Sequence, residues 1–264
     1  MTAPIQLIIP AAGAGTRFRE VGLSVPKPLI EIGGYPMILW VMSNFDLSEG
    51  DSVIIVCQKA DELPSKLQGY LGGFLCNVDF VEIEGLTTGP ASTVELAIPL
   101  LNPIWPIVVA NSDQYVSGDL SEFMSNVRSA NYSGTILTML ASGKKWSYIG
   151  RDSSGNISQV VEKIEISAEA TVGIYSWANL EILEKSIAYL KSNNLLVNNE
   201  FYIAPSYNYL IAKNLSISCV SVGHHGDRVH GLGTPGDLNE FLNHVNFEIF
   251  RVKMASILSR SKDN

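Results

Sequence analysis

The chain has 264 residues, with 18 Lys+Arg against 26 Asp+Glu for a formal charge of −8, and is 46% hydrophobic and 17% charged. This globular balance excludes a broad nucleic-acid or anionic-membrane footprint, which needs a basic surface, so any phosphorylated ligand must be met by a few local cations. Cys57, Cys76 and Cys219 stand far apart in an odd count that argues against a disulfide framework, and no run reaches the roughly 18 apolar residues of a membrane helix, so a soluble cytoplasmic protein is expected.

In chain order, residues 5–9 read as a buried strand that ends near Ile9. Pro10, Gly13 and Gly15 forbid its continuation, which makes residues 10–16 a loop of small residues whose backbone N–H groups are open to an anion. Arg17 follows in a short helical turn over residues 17–21, and Val25-Pro26-Lys27-Pro28 is held extended by its prolines, fixing where Lys27 points. An arginine suits a phosphate fork and a lysine acts as a compact charge, so the stretch reads as a phosphate-handling site. Gly33-Gly34-Tyr35 makes a turn, and Pro36 opens a helix to about residue 45 with Met37, Ile38, Val41 and Phe45 inward.

Ser52-Val53-Ile54-Ile55-Val56-Cys57 is continuously apolar, as in a strand covered on both faces of a parallel sheet. A helix over 60–70 leads to a third strand over 78–83. The small-residue loop from Glu84 to Thr93 then opens a helix reaching about residue 100. Residues 106–110 form a fourth buried strand that delivers Asn111-Ser112-Asp113 at its carboxyl end, where open α/β sheets bind ligands. A helix over 120–130, capped by Asp119, returns to a strand over 134–140. Four alternating units predict an α/β fold with a doubly wound, mostly parallel sheet.

The rhythm then changes. Residues 148–150 and 157–161 flank a turn cluster and predict an antiparallel hairpin, so the sheet should be mixed. Strands over 170–177 and 215–222, a helix over 180–191 and a second helix between residues 200 and 213 follow. From Pro235, the residues Leu238, Leu242, Val245, Ile249 and Val252 at helical spacing predict one terminal helix, about 40 Å long if unbroken. Without a linker or repeat, residues 1–264 are expected to form a single domain, with 1–140 binding nucleotide and 141–264 supplying the acceptor side and a lid. Monomer and homo-oligomer both stay open.

Gly13-x-Gly15-x-x-Phe18 lacks the third small residue of a dinucleotide fingerprint, and that fold has no use for Arg17 or for Pro-Lys-Pro. Ala11-Ala12-Gly13-Ala14-Gly15-Thr16-Arg17 followed by Pro26-Lys27-Pro28 instead resembles the nucleotidyltransferases that activate sugar phosphates, of the glucose-1-phosphate thymidylyltransferase and UTP-glucose pyrophosphorylase type. The resemblance covers most of the chain. It implies that the loop at Glu84, Gly89, Pro90 and Ser92 meets the nucleoside together with Ala11 to Thr16, and that Asp113 binds Mg²⁺. It implies also that Lys163 grips the acceptor phosphate, with Glu162, Gly173 and Glu200 on the acceptor side. Arg17, Lys27, Asp113 and Lys163 would be the catalytic set, and the partners a nucleoside triphosphate and a phosphorylated small molecule.

Duller readings stand beside these. Asp113 suits a helix cap, Lys163 a strand face, and Glu200 the start of a helix, where acids are favoured. The family's second metal aspartate precedes a Gly-Thr pair, and here Gly231 occupies that position in Val229-His230-Gly231-Leu232-Gly233-Thr234. Asp237 reads as a helix-capping partner of Thr234, so the Mg²⁺ shell is left to water and substrate or to Asp227, or activity is lost. His224, His225 and His230 read as loop or substrate-contact residues. The runs Asn111-Ser112-Asp113-Gln114, Asn198-Asn199-Glu200-Phe201-Tyr202 and Gly231-Leu232-Gly233-Thr234-Pro235 resemble a subset associated with surface-polysaccharide gene clusters. Alternatives are a cytidylyltransferase for a choline-like phosphate, its cation held by aromatic residues around Trp146, Tyr175 and Trp177, a catalytically silent nucleotide-binding homologue, and, further off, a glycosyltransferase.

Overall fold

A computed structural model describes residues 3–129 and 131–260. In chain order the first half contains β1 (Gln6–Pro10), α1 (Thr16–Arg19), the two-residue strands β2 (Glu31–Ile32) and β3 (Tyr35–Pro36), α2 (Met37–Met42), β4 (Ser52–Gln58), α3 (Leu63–Leu71), β5 (Asn77–Ile83), α4 (Pro90–Glu95), β6 (Ile107–Ala110), β7 (Gln114–Val116), α5 (Ser121–Ser129) and β8 (Gly134–Leu140). The second half adds β9 (Ser147–Arg151), β10 (Ile157–Glu162), β11 (Glu169–Trp177), α6 (Leu180–Ser192), α7 (Asn208–Ala212), β12 (Ile217–His224), β13 (Val229–Gly231), α8 (Pro235–Leu242) and α9 (Phe247–Leu258). The end expected for the fifth helix, Ala130, lies outside the described residues.

Nine strands form one mixed sheet in the order β10-β9-β11-β6-β1-β4-β5, with β8 on β11 and β12 on β8. The strands β5, β4, β1 and β6 run parallel, and their continuous apolar runs are explained by cover on both faces. Leu7, Ile9, Val53, Ile55, Val108 and Ala110 face a layer containing α2, α3, α5, α8 and α9. Ile8, Ile54, Val56, Ile107 and Val109 face the opposite layer, built on α4, α6 and α7. The sheet is therefore doubly wound. All six residues of α2 are buried, not only those of one stripe.

Beyond β6 the pairing becomes antiparallel, apart from β12 parallel to β8, and sets up the site. The second half of β11 lies against β6, whereas at Ala170 its neighbour is β9. Between the two, the register of β11 on β8 shifts around Gly173, whose φ is +87°. The Asn111 N–H donates to the Gly173 carbonyl at 2.8 Å, so this irregularity sits at the carboxyl end of β6. A notch in the sheet results.

The single terminal helix is not formed: it breaks into α8 and α9, with Asn243 ending one and Asn246 preceding the other. Leu238 of the expected aliphatic stripe packs on the core, but the rest turns outward, with Val245 92%, Ile249 66% and Val252 63% exposed, while Phe241, Phe247 and Met254 are buried. Aromatic area decides the phase. Phe241 and Phe247 pack on Trp40 at ring separations of 5.2 and 5.9 Å, and Gly33, at φ +57°, leaves the space the Phe247 ring fills. Glu200 likewise does not open a helix, because the helical geometry after it begins only at Ala204. Among the described residues no helix is long and apolar enough to cross a membrane.

One buried ion pair ties the starts of two strands to a helix. Asp51 accepts from Arg128 at 2.9 and 2.6 Å, from the Ile5 N–H at 2.8 Å and from the Ser48 N–H at 2.8 Å. Burial works against the charge, but Arg128 and the two N–H donors outweigh it and hold the carboxyl below its usual range. A lowered carboxyl contributes stability that is complete above its unfolded pKa of about 4 and is lost as pH falls through the folded value. Asp51→Ala is expected to cost about 3–5 kcal/mol in urea unfolding at pH 7, because Arg128 is left unpaired, and to flatten the loss of stability below pH 4.

Candidate functional site

The proline-flanked segment that follows the loop over 10–16 meets the carboxyl end of β6 at one ion pair. After β1 the backbone is held by the Ala11 N–H donating to the Val56 carbonyl at 2.8 Å, with Ala11 and Ala12 buried. Gly15 turns the chain into α1 at φ +63°, and a β-carbon there would lie 3.3 Å from that of Lys27, so the missing side chain lets Lys27 cross the loop. The Lys27 ammonium reaches Asp113 Oδ2 at 2.5 Å, with the two side chains 19% and 23% exposed. Gly233 covers the same carboxylate: a β-carbon on it would fall 2.5 Å from Oδ2.

The opposite wall comes from the ends of β10 and β11. Lys163 follows the last residue of β10 at φ +60°, its N–H donating to the Trp146 carbonyl at 2.9 Å. Its ammonium donates to the Tyr202 hydroxyl and lies 4.1 Å from the centre of that ring. Glu162 is buried and accepts a hydrogen bond from Ser147. Burial pushes its carboxyl above the usual range, partly offset by Ser147 and Lys163. A side chain at Gly173 would collide with the Asn111 amide and approach Gln114 Oε1, itself buried and without a partner among the described residues. Arg17, Pro90, Asp113, Gln114, Glu162, Lys163, Gly173 and Tyr202 line one cavity of about 710 Å³.

A second cavity of about 230 Å³ lies against Gly13, Ala14, Gly15, Lys27, Gln58 and Gly85, and Lys27 pairs with Asp113 on the wall of the larger one. Gln58 donates to the carbonyls of Ala12 at 2.8 Å and Gly85 at 2.9 Å, fixing the two loops to each other. The sequence assigns no role to Gln58, and Tyr202 enters it only as the end of the run 198–202. Gln58 ends β4 as Asp113 follows β6, and the strand-end rule applied to every strand would have found it.

Other expected residues fall elsewhere. Glu84 lines neither cavity; its exposed side chain pairs with Lys59 at 3.5 Å, because the turn at Gly85 sends it outward. Thr16 and buried Ser92 also line neither, and exposed Glu200 lies beside Gly89 rather than on the cavity wall. Asp227 is exposed and reaches only Arg228, at 3.6 Å. Asp237 lines the larger cavity, 3.1 Å from where a Gly231 side chain would begin, but it is committed to Lys145 at 2.9 Å and to Thr234 at 2.7 Å. No group of three or more His, Cys, Asp or Glu suited to a metal occurs among the described residues.

The aromatic and histidine expectations also change. Trp177 is in the core, its indole N–H on Ser186 at 3.1 Å, and the Trp146 ring is taken by Lys145 at 4.7 Å and by the His225 ring at 4.8 Å. His230 is neither a loop nor a contact residue: it is buried against Phe241 at 5.2 Å and His244 at 4.7 Å, because strand pairing with Tyr115 turns it inward.

A family model described as Nucleotidyl transferase matches residues 6–202. A mannose-1-phosphate guanyltransferase of Pichia angusta is 37% identical over 124 residues, 44% of this chain and 33% of that protein, so the chain spans about a third of that relative's length. Among solved structures, a nucleoside-diphosphate-sugar pyrophosphorylase from Vibrio cholerae RC9 superposes with a TM-score of 0.75 at 22% identity, covering 89% of this chain and 99% of that one. The inositol-1-phosphate CTP transferase from T. maritima superposes at 0.70 and 16% identity, covering 99% of each chain.

Burial, then the neighbouring His244, pull the His230 imidazole down to about 4, so it is neutral in the fold. Between that value and about pH 6.5 the unfolded chain binds the extra proton, and stability falls by about 1 kcal/mol per unit as pH decreases. His230→Phe should remove this part of the slope in urea midpoints measured from pH 7 to pH 4.5.

Proposed function

We propose, since the chain belongs to the nucleotidyl transferase family, that it transfers a nucleoside monophosphate from a nucleoside triphosphate to a sugar 1-phosphate or similar phosphorylated metabolite and releases pyrophosphate. The observation that carries this reading is the single cavity running from Arg17 and Asp113 to Lys163 and Glu162, with Lys27 joining it to the smaller cavity beside the signature loop. In this reading residues 1–140 hold the nucleotide and residues 141–264 the acceptor, and the product feeds surface-polysaccharide synthesis in the cytoplasm, where triphosphates are available.

An oxygen of the acceptor phosphate attacks the α-phosphorus as the bond to pyrophosphate breaks. The loop N–H groups and Arg17 carry the leaving charge, Lys27 neutralises charge where the two substrates meet, and Lys163 holds the attacking phosphate. Buried Glu162 accepts acceptor hydroxyls. No protein nucleophile is needed, because positioning and charge stabilisation supply the acceleration.

The donor set fits Mg²⁺, which takes one or two carboxylates and completes its shell with water and phosphate oxygens; Asp113 would hold it. When bound, the ion supplies further neutralisation of the phosphate oxygens. The commitment of Asp237 and the absence of a side chain at Gly231 favour, as a second reading, a nucleotide-binding homologue without turnover. A choline-like acceptor is disfavoured, since the rings of Trp146 and Tyr202 already carry lysine ammonium groups.

Pyrophosphate release from a panel of nucleoside triphosphates with hexose 1-phosphates and inositol 1-phosphate tests the reading. Turnover with one pair is expected, reduced about 10²–10³-fold in Asp113→Ala. Nucleotide binding without turnover for any pair would establish the silent homologue, and full activity of Asp113→Ala would remove that residue from the site.

A further inference from the structure

We propose that Tyr202 is a positioning residue that aims Lys163 at the acceptor phosphate, and that the strip Glu200-Phe201-Tyr202 ties this lysine to the nucleotide-side loop. The inference rests on the two-substrate reading and deepens it: the two substrate sites share one mechanical element.

Lys163 needs an external guide. It follows the last paired residue of β10 in the left-handed region, at φ +60°, and a lysine stem has four rotatable carbons and no preferred aim. Both contacts that hold its ammonium come from one residue, since the Tyr202 hydroxyl accepts its hydrogen bond and the ring face lies 4.1 Å away. Burial raises the phenol above its usual range, so it stays protonated while its oxygen accepts from the lysine.

The strip is fastened where the nucleotide is expected. The Phe201 N–H donates to the Thr88 carbonyl at 2.8 Å, and the Ala91 N–H donates to the Phe201 carbonyl at 2.9 Å. Gly89 makes this approach possible: at φ +107° it lies so close that a β-carbon would fall 2.7 Å from the Phe201 nitrogen. Thr88 to Ala91, Phe201, Tyr202 and Lys163 thus form a continuous path along one side of the cavity, and Pro90, Tyr202 and Lys163 all line it.

Tyr202→Phe keeps the ring and loses the hydroxyl; Tyr202→Leu loses both. With an active substrate pair, KM for the phosphorylated acceptor should rise about tenfold in the first and further in the second, while KM for the triphosphate stays put. In a Lys163→Ala background Tyr202→Phe should add nothing, because its effect passes through the lysine. Equal changes in both KM values, or additive losses in the double variant, overturn the proposal. If no pair turns over, the two-substrate reading fails and Tyr202 is judged separately, by carbon-13 NMR of reductively methylated lysines with the Lys163 signal identified by its loss in Lys163→Arg. Ring-current displacement of that signal, kept in Tyr202→Phe and abolished in Tyr202→Leu, supports the guide; a signal unmoved by Tyr202→Leu overturns it.

Discussion

The contact between Lys27 and Asp113, 2.5 Å long and about four-fifths buried at both partners, is the constraint around which the site is arranged. It closes a separation of 86 residues and brings a proline-stiffened segment against the carboxyl end of β6. On a chain with a net charge of −8, the two phosphorylated substrates of the proposed reaction would meet little favourable long-range field. Under that proposal the receiving cations must be local and aimed, and Lys27 and Lys163 are each held by a specific partner rather than left to solvent.

Close backbone approach is the second requirement, met by a few positions that bear no side chain. Gly15 lets Lys27 cross the signature loop, Gly233 lies on the Asp113 carboxylate, and Gly89 admits the strip that carries Tyr202. Gly173 interrupts the ladder of β11 at the boundary between β6 and β9, which opens a notch beside the larger cavity. At Gly233, Gly89 and Gly173 two segments distant in sequence share a space too small for a β-carbon, and at Gly15 the approach is merely tight.

Where local pattern misled, a longer-range packing demand had the larger energy. The aliphatic spacing after Pro235 is genuine helical periodicity, yet Phe241 and Phe247 have more area to bury against Trp40, and they break and rephase the helix. His230 belongs to a loop-like, glycine-rich run, but pairing of β13 with β7 turns it into an aromatic cluster. Glu84 stands one residue from a cavity wall and faces the solvent, since the turn at Gly85 directs the backbone, not the carboxylate, toward the space between the loops.

Much of the architecture was determined by the sequence alone, because continuous apolar runs with alternate residues facing two layers specify buried parallel strands, and small-residue loops after them specify where ligands approach. The signature loop with Arg17 and Lys27 and the aspartate after the fourth buried strand were legible for the same reason: each is a contiguous pattern with a local physical meaning. Tertiary structure decided what depends on distances across the chain. Asp237, not residue 227, fills the space beside Gly231, Gln58 clamps Ala12 to Gly85, and Tyr202 holds Lys163. No one-dimensional period encodes these meetings, since each arises only when β4, β10 and the loops after them have been packed against β1, β6 and β11.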